Sequence, residues 1–336
     1  MSKKSKRKNN LKLSILLLLL LLMVLIASTY AWFTANQTVT VDAVNVHIEA
    51  QNGLQISTDA SKWKSKIDND DIKTGAYTGN INQMPTDVEP VSTVGEIDTA
   101  TGFMKMFYGT VASDENAGGI DKLTAVQDVE QQGTQGKFVA FDMFLRVNAE
   151  TKLKMTGGSK VVKTDASADN GIKQASRVAF CVEGNAPAGT ELNTITSLKG
   201  AKSFLDEGST VYIWEPNPNW HTNAAVAHAR DNYQVTTTTG GLETDIVEYY
   251  GIKKEIQTGI ALKDTYKADE NFAKVTPTYK TISNAEGIMN ETPIFTLAAG
   301  ITKVRVYMWV EGQDIDCENT ASGTDIAFNL QLQVAE

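Results

Sequence analysis

The residue types best suited to binding a metal ion cluster near the end of the chain, in the segment Glu311-Gly312-Gln313-Asp314-Ile315-Asp316-Cys317-Glu318. Hard oxygen ligands gathered around a turn suit calcium. We therefore predict a calcium site at Glu311, Asp314 and Asp316. The spacing is not that of an EF-hand loop, and a solvated turn between two strands is the competing interpretation. The run Asp68-Asn69-Asp70-Asp71 is a similar but weaker candidate.

The three histidines do not form a recognisable zinc or catalytic motif. His221 and His228 lack the i, i+4 spacing of a helical zinc pair, and His47 stands in a strand-like segment. No G-x-S-x-G motif, P-loop or dinucleotide-binding glycine motif occurs. The sequence therefore predicts a protein that is not an enzyme, with no catalytic residue and no organic cofactor. A pocket holding two close carboxylates would instead favour a hydrolase.

The two cysteines, Cys181 and Cys317, lack the C-x-x-C spacing of redox sites. Each lies in or just after a predicted strand, so a disulfide can form if those strands are neighbours. It would close a loop of about 136 residues, for which chain entropy gives about 4–5 kcal/mol. Two unbridged thiols that pack as small hydrophobic groups are the alternative.

Alternating apolar and polar residues indicate the strands that position these side chains. The alternation runs through residues 39–48, 139–147, 176–183, 211–214, 302–311 and 325–334. In the first of these the phase changes at Asp42-Ala43, which predicts a bulge or two short strands. In residues 302–311, one row carries Val304 and Val306, and the other carries Arg305 and Tyr307.

The strands have irregular spacing and long polar connections, a pattern typical of an antiparallel β-sandwich. We predict a mostly β fold with long loop insertions in residues 59–135 and 215–300. Short helices are predicted at 198–207 and 224–233. No sharp change of composition divides residues 32–336, which we interpret as one elaborated domain.

The first 31 residues have the three parts of an export signal. Six basic residues precede an apolar run from Leu13 to Ala27, and Thr29-Tyr30-Ala31 offers a small-x-small cleavage site before Trp32. As a helix the run is about 22 Å long, short of a bilayer core of about 30 Å. Extended to Phe33 it is about 31 Å and can span. A cleaved signal peptide and a retained transmembrane helix therefore both remain open, and either places the rest of the chain outside the cytoplasm.

The charge of the exported part argues against a nucleic-acid partner. Six of the 31 basic residues precede the apolar run, which leaves 25 basic residues against 40 acidic ones. Such a surface repels phosphate backbones. The early basic residues are explained by the export signal.

Two stretches resemble a known family. The segment Ser28-Thr29-Tyr30-Ala31-Trp32-Phe33-Thr34, followed by residues 39–48 and Gly53-Leu54-Gln55-Ile56, resembles the start of TasA/camelysin-type surface proteins of Gram-positive bacteria. The segment from Val304 to Cys317 is similar to a signature in uncharacterised exported proteins with that kind of N-terminus. Together the two stretches cover about a fifth of the chain.

The resemblance implies a jelly-roll-like β-sandwich at the cell surface or in a biofilm matrix. It also implies a dedicated signal peptidase of the SipW kind as a partner. TasA-like proteins form fibres in which an N-terminal segment adds a strand to the next subunit. Camelysin has been classed as a metallopeptidase, but no zinc motif is present here to carry that activity over.

Two functions follow as hypotheses. The first is a structural or adhesive surface protein that self-associates when residues 37–48 add to the sheet of another copy; that segment joining its own sheet is the simpler alternative. The second is a displayed binding module for a glycan or protein, with Trp63, Trp220, Tyr249 and Tyr250 as aromatic contacts.

Overall fold

A computed structural model of the chain describes residues 38–49, 53–114, 118–166, 170–216, 221–235, 247–280, 293–317 and 322–335. The chain divides into two units, residues 1–31 and 32–336, and every described residue belongs to the second. The predicted signal, with its cleavage site at Ala31 and Trp32, therefore lies outside the described residues. Within the ranges given above, no helix is both long enough and apolar enough to cross a membrane.

The fold is mostly β, as predicted, and its centre is a sandwich of two sheets. The strands of the two sheets are β1 (Val39–Ile48), β2 (Gln55–Ser57), β3 (Lys66–Ile67), β4 (Asp87–Val88), β8 (Val139–Val147), β9 (Thr151–Met155), β10 (Lys160–Lys163), β11 (Ser176–Ala186), β12 (Val211–Glu215), β16 (Tyr279–Lys280), β17 (Phe295–Leu297), β18 (Gly300–Val310) and β19 (Thr324–Val334). Sheet 1 has the order β17-β9-β19-β1-β3, with β10 also beside β19 and β4 beside β1. Sheet 2 has the order β16-β12-β11-β18-β8-β2.

The core of the sandwich is formed by the facing apolar rows of the two sheets. Alternation along β18 places one row, which includes Val304 and Val306, in this core, together with Phe141 from β8 and Val44 and Phe328 from sheet 1. These side chains are fully buried. Burial of one such side chain contributes about 1.5–3 kcal/mol to the free energy of folding. Contact between the facing apolar rows is therefore the main interaction that holds the two sheets together.

A further layer covers the outer face of sheet 2. It contains a sheet of order β14-β7-β6-β5 and the pair β13-β15, formed by β5 (Val91–Ser92), β6 (Met106–Asp114), β7 (Ile120–Asp128), β13 (Tyr250–Ile252), β14 (Ile256–Ala261) and β15 (Phe272–Lys274). The polar insertions were expected to be loops, but they contain this covering layer. It buries a second apolar cluster, in which Met104 and Met106 pack with Phe138, Tyr307 and Trp309. Sheet 2 is therefore covered on both faces.

The helices are short, as predicted: α1 (Asn69–Thr74), α2 (Ile172–Ala175), α3 (Leu192–Thr196), α4 (Asn223–Tyr233) and a 3₁₀ turn at Leu262–Asp264. The helix predicted at 224–233 is confirmed by α4. The helix predicted at 198–207 is wrong, because Phe204 N donates to Gly95 O at 2.9 Å instead of bonding within a helix.

The first strand lies beside the last one, and the two run parallel. β1 pairs with β19 from Val39 opposite Thr324 to Ile48 opposite Leu332. The register shifts between Val41 and Ala43, which confirms the predicted bulge. The other edge of β1 pairs with β3 and β4 over two residues each, and Val41 N and Val44 N also donate to Thr86 O and Asn69 Oδ1. The described chain therefore holds β1 in its own sheet, mainly through one neighbour.

Candidate functional site

The acidic turn after β18 is buried, not solvated. Glu311 accepts hydrogen bonds from Trp309 Nε1 and Gln313 N, both at 3.0 Å. Burial raises the pKa of Glu311 to about 7, although hydrogen bonds from Ser92 and Trp309 oppose this shift. The Glu311 carboxylate therefore holds the backbone of the turn at Gln313 and the indole ring of Trp309.

The other two predicted ligands face different partners. Asp314 Oδ2 lies 2.5 Å from Arg177 Nη2, and Asp314 Oδ1 accepts from Asp316 N at 2.9 Å. Asp316 Oδ2 lies 2.7 Å from His221 Nδ1, and its Oδ1 accepts from Thr222 N at 2.8 Å. All four carboxylate oxygens of these two residues already have partners within the protein.

These contacts do not fit a calcium site. Calcium takes six to eight oxygen ligands, whereas the carboxylates here are balanced by the guanidinium of Arg177 and the imidazole of His221. In the part of the chain that the structure describes, the one set of side chains compact enough for a metal ion is His221, Asp314 and Asp316, with ligand atoms within 4.8 Å. The predicted set of Glu311, Asp314 and Asp316 is therefore not assembled, because Glu311 points into the packing around Trp309.

His221 binds Asp316 as a buried cation. Burial lowers the pKa of His221, but the hydrogen bond and charge of Asp316, with the charge of Asp314, outweigh burial and raise it to about 9. Burial raises the pKa of Asp316 to about 6, with His221 acting in the opposite direction. At neutral pH both groups are therefore charged. The other histidines lie elsewhere, His47 exposed on β1 and His228 against Tyr233 in α4.

A row of charged and polar side chains continues along the outer face of β18. Arg305 donates to Asp142 Oδ1 at 2.7 Å and to Glu130 Oε2, and Glu130 Oε1 accepts from Tyr307 at 2.6 Å. Further along, Lys303 Nζ lies 2.8 Å from Glu183 Oε2. We call Glu130, Asp142, Glu183, Lys303 and Arg305 the ionic layer. All five are buried between sheet 2 and the covering residues.

A cavity of about 500 Å³ opens at the Lys303 end of the ionic layer. Asp142 and Glu183 both line it, and Lys303 Nζ lies 3.5 Å from Asp142 Oδ2. Glu183 is the additional residue at a bulge in β11, where the register shifts between Val182 and Gly184. Bulges re-aim side chains, and this one carries the carboxylate of Glu183 to Lys303.

The two cavity carboxylates differ in acidity. Burial raises the pKa of Glu183 to about 7, and the charge of Asp142 adds to that shift. Burial also favours the neutral form of Asp142, but the charges of Arg305 and Lys303 outweigh it and lower its pKa. Asp142 is therefore ionised at neutral pH, while Glu183 is divided between its two forms.

The residues of this cavity were not predicted as a site from the sequence. The available signal was the charge of Asp142 and Arg305 within strands that are otherwise mostly apolar. A charged side chain in a strand covered on both faces must find a buried partner. Pairing those partners required the strand order, which places Asp142 of β8 opposite Arg305 of β18.

The three predicted aromatic contacts that lie in the described ranges, Trp63, Tyr249 and Tyr250, do not form a flat exposed platform. Tyr249 is buried and its hydroxyl donates to Thr93 O. Trp63 is covered by the guanidinium of Arg146, 4.2 Å from the ring centre, and Tyr250 is half-buried. Trp220 lies outside the described residues.

The predicted disulfide is not formed. Cys181 and Cys317 are both buried, Cys181 in the cluster outside sheet 2 and Cys317 in the core of the sandwich. Cys181 pairs with Arg305, whereas Cys317 follows the end of β18 at Val310. The two cysteines therefore lie on opposite faces of sheet 2 and are not bridged.

Comparison with known proteins adds no relative. No protein-family model matches this chain, and no match was found among curated proteins or solved structures. The likeness to TasA/camelysin-type proteins therefore rests on the two sequence stretches alone, and the function has to be argued from the strands and the cavity.

Proposed function

We propose that this chain is an exported structural protein of the cell surface or extracellular matrix, and that its copies assemble by exchanging β1. A signal peptidase acting between Ala31 and Trp32 would release the exported domain, and a retained N-terminal segment would instead tether it to the membrane. The proposal includes homo-oligomers or fibres and no nucleic-acid partner. Its support is the way β1 is held in the sheet.

The pairing of β1 suits exchange because nine of its residues pair with β19, against two each with β3 and β4. Val39, Val44, Val46 and Ile48 are buried in the core, and β19 accompanies the strand over its full length. Moving β1 out of the sheet would leave an apolar slot and an unpaired edge on β19. Such an edge accepts a strand from another chain.

The same strand from a second copy would restore the same contacts. Exchange of an identical element between protomers changes the connectivity without losing contacts. Because one β1 fills one slot, each copy both gives and receives a strand, and repeated exchange in one direction produces a fibre.

A disulfide placed between β1 and β19 can report which chain supplies the strand. Asn45 Nδ2 donates to Asn329 Oδ1 at 3.3 Å, and the two residues are register partners. The experiment uses the full chain with N45C and N329C in a background that carries C181A and C317A. Assembly is followed by electron microscopy and sedimentation, then oxidation and a non-reducing denaturing gel.

The expected result is fibres or oligomers whose oxidised chains form a covalent ladder on the gel. The matched control carries N45C alone and gives dimers at most. Assemblies in which every chain carries an internal disulfide would refute exchange of β1, and the absence of any assembly would refute the structural role itself.

A further inference from the structure

The cavity beside the ionic layer is a second feature that strand exchange does not use. None of its lining residues lies in β1, so any role it has is independent of assembly. Its volume of about 500 Å³ is within the range of about 300–1,000 Å³ that is usual for small-molecule sites.

The floor of the cavity is polar and held in place. Lys303 Nζ contacts Glu183 and Asp142, and it also donates to the carbonyl oxygens of Thr196 and Leu198 at 3.0 and 3.1 Å.

Asp142, the second charged group of the floor, is fixed further by Arg305 and accepts from the hydroxyl of Tyr77. A floor with so many internal bonds is preorganised, because its polar groups keep their positions without a ligand.

The walls combine aromatic rings with uncharged polar groups. Phe103 lies against the guanidinium of Arg305, 4.4 Å from its ring centre, and Tyr77 packs edge-on against Phe144. Both Phe103 and Tyr77 are half-buried and line the cavity. Asn193 and Ser197 provide an exposed amide and hydroxyl at the rim.

We propose that this cavity binds a carbohydrate of one or two uncharged sugar rings. Sugar hydroxyls both donate and accept hydrogen bonds, and the cavity offers carboxylate acceptors at its floor and the amide of Asn193 and the hydroxyl of Ser197 at its rim. The apolar faces of a sugar ring pack on aromatic side chains, which Phe103 and Tyr77 supply.

The charge of the site favours a neutral ligand. Glu183 and Asp142 repel an anion, while Lys303 between them and Lys199 at the wall oppose a cation. A neutral molecule with many hydroxyls can donate to the two carboxylates without disturbing their pairing with Lys303.

The same geometry points to binding and not to hydrolysis. In glycosidases the two carboxylates flank the bond that is cleaved. Here Asp142 and Glu183 contact one ammonium group, at 3.5 and 2.8 Å, so Lys303 occupies the space between them. We therefore assign them the role of binding residues.

The test is saturation-transfer NMR on the full chain in lauryldimethylamine oxide micelles, since detergents with sugar headgroups would compete. The probes are glucose, galactose, mannose, N-acetylglucosamine, cellobiose and chitobiose, with choline and inorganic phosphate as charged probes. We expect transfer to at least one neutral sugar. F103A should weaken its binding about three- to tenfold through loss of the ring contact, and S197W at the exposed rim should abolish it by filling the cavity.

The matched control is S209W, because Ser209 does not line the cavity. Thermal unfolding midpoints show whether each variant is folded. The proposal is overturned if folded wild-type protein gives transfer to no neutral sugar, or only to choline or phosphate. It is also overturned if folded S197W binds the sugar as well as S209W does. Either failure leaves strand exchange unaffected, because fibre formation is measured separately.

Discussion

Arg305 and Asp142 face each other on neighbouring strands, with Nη1 of the arginine 2.7 Å from Oδ1 of the aspartate and both side chains buried. The pair joins β18 to β8 on the face of sheet 2 that a simple two-sheet sandwich would expose to water. The covering layer excludes that water. Arg305, Asp142 and their neighbours must therefore form their hydrogen bonds and ion pairs with one another.

Breaking this pair on one side should destabilise the fold strongly. We expect R305M to lower the free energy of unfolding by about 3–5 kcal/mol, because Glu130 would remain buried without its cation and Asp142 would keep only Lys303, at 3.5 Å. Urea unfolding followed by circular dichroism measures the change. The control is K254M, which removes an exposed partner of Glu270 and should change stability by no more than about 1 kcal/mol. Equal effects of the two variants would contradict a buried ionic layer.

The pair of His221 and Asp316 should make stability depend on pH. The pKa of His221 is raised to about 9 in the fold, against about 6.5 in the unfolded chain, so its stabilisation is complete below about pH 6.5 and is lost as pH rises through 9. The difference in unfolding free energy between the wild type and H221Q should fall by up to about 3 kcal/mol between pH 6.5 and 9.5.

Urea unfolding at a series of pH values measures that difference. The series starts at pH 6.5 because the raised pKa of Asp316, about 6, produces a separate fall in stability as pH rises through lower values. H47Q, at the exposed histidine of β1, is the matched control and should show no such fall. A constant difference for H221Q across the range would mean that His221 is not held as a cation.

The two cysteines should be unreactive until the protein unfolds. Cys181 and Cys317 are at most 1% exposed, and burial raises the pKa of the Cys181 thiol, which lowers the fraction of reactive thiolate. A thiol reagent such as 5,5′-dithiobis(2-nitrobenzoic acid) should label neither in the folded protein and both in guanidinium chloride, without a reductant. One label or none after unfolding would indicate a disulfide, and rapid labelling before unfolding would contradict the burial.

Strands were predicted correctly from the sequence where their side chains follow a regular period of two residues. Residues 139–147 and the bulge at Asp42-Ala43 were predicted correctly because their side chains follow the period of a strand closely. β6 and β7 were missed because they belong to a covering sheet with much of its surface in solvent, where polar residues interrupt the pattern; Val126, for example, is 57% exposed.

The sites were harder to predict than the strands because they depend on partners distant in sequence. The acidic turn suggested calcium, but Arg177 and His221 supply its positive charge from more than 90 residues away in sequence. Local spacing shows which groups are able to bind a cation, and only the strand order shows which cation is already present.

The bulge in β1 should depend on a single amide. Asn69, at the start of α1, accepts from Val44 N at 2.7 Å through Oδ1, and its Nδ2 lies 3.4 Å from Asp42 O. N69A would leave the backbone N–H of Val44 without this acceptor, and we expect a loss of about 1–3 kcal/mol in unfolding free energy. Because the loosened bulge lies in β1, the variant should also exchange that strand and form assemblies sooner than the wild type.

Urea unfolding and a time course of sedimentation test both parts. The control is T74A at the other end of the same helix, where the hydroxyl bonds only to Asp70 O, within the helix. Faster assembly by N69A but not by T74A, at matched protein concentration, would show that weaker attachment of β1 to its own sheet speeds strand exchange. If N69A is destabilised but assembles no faster than T74A, release of β1 does not limit assembly, and the step that does must lie outside the bulge.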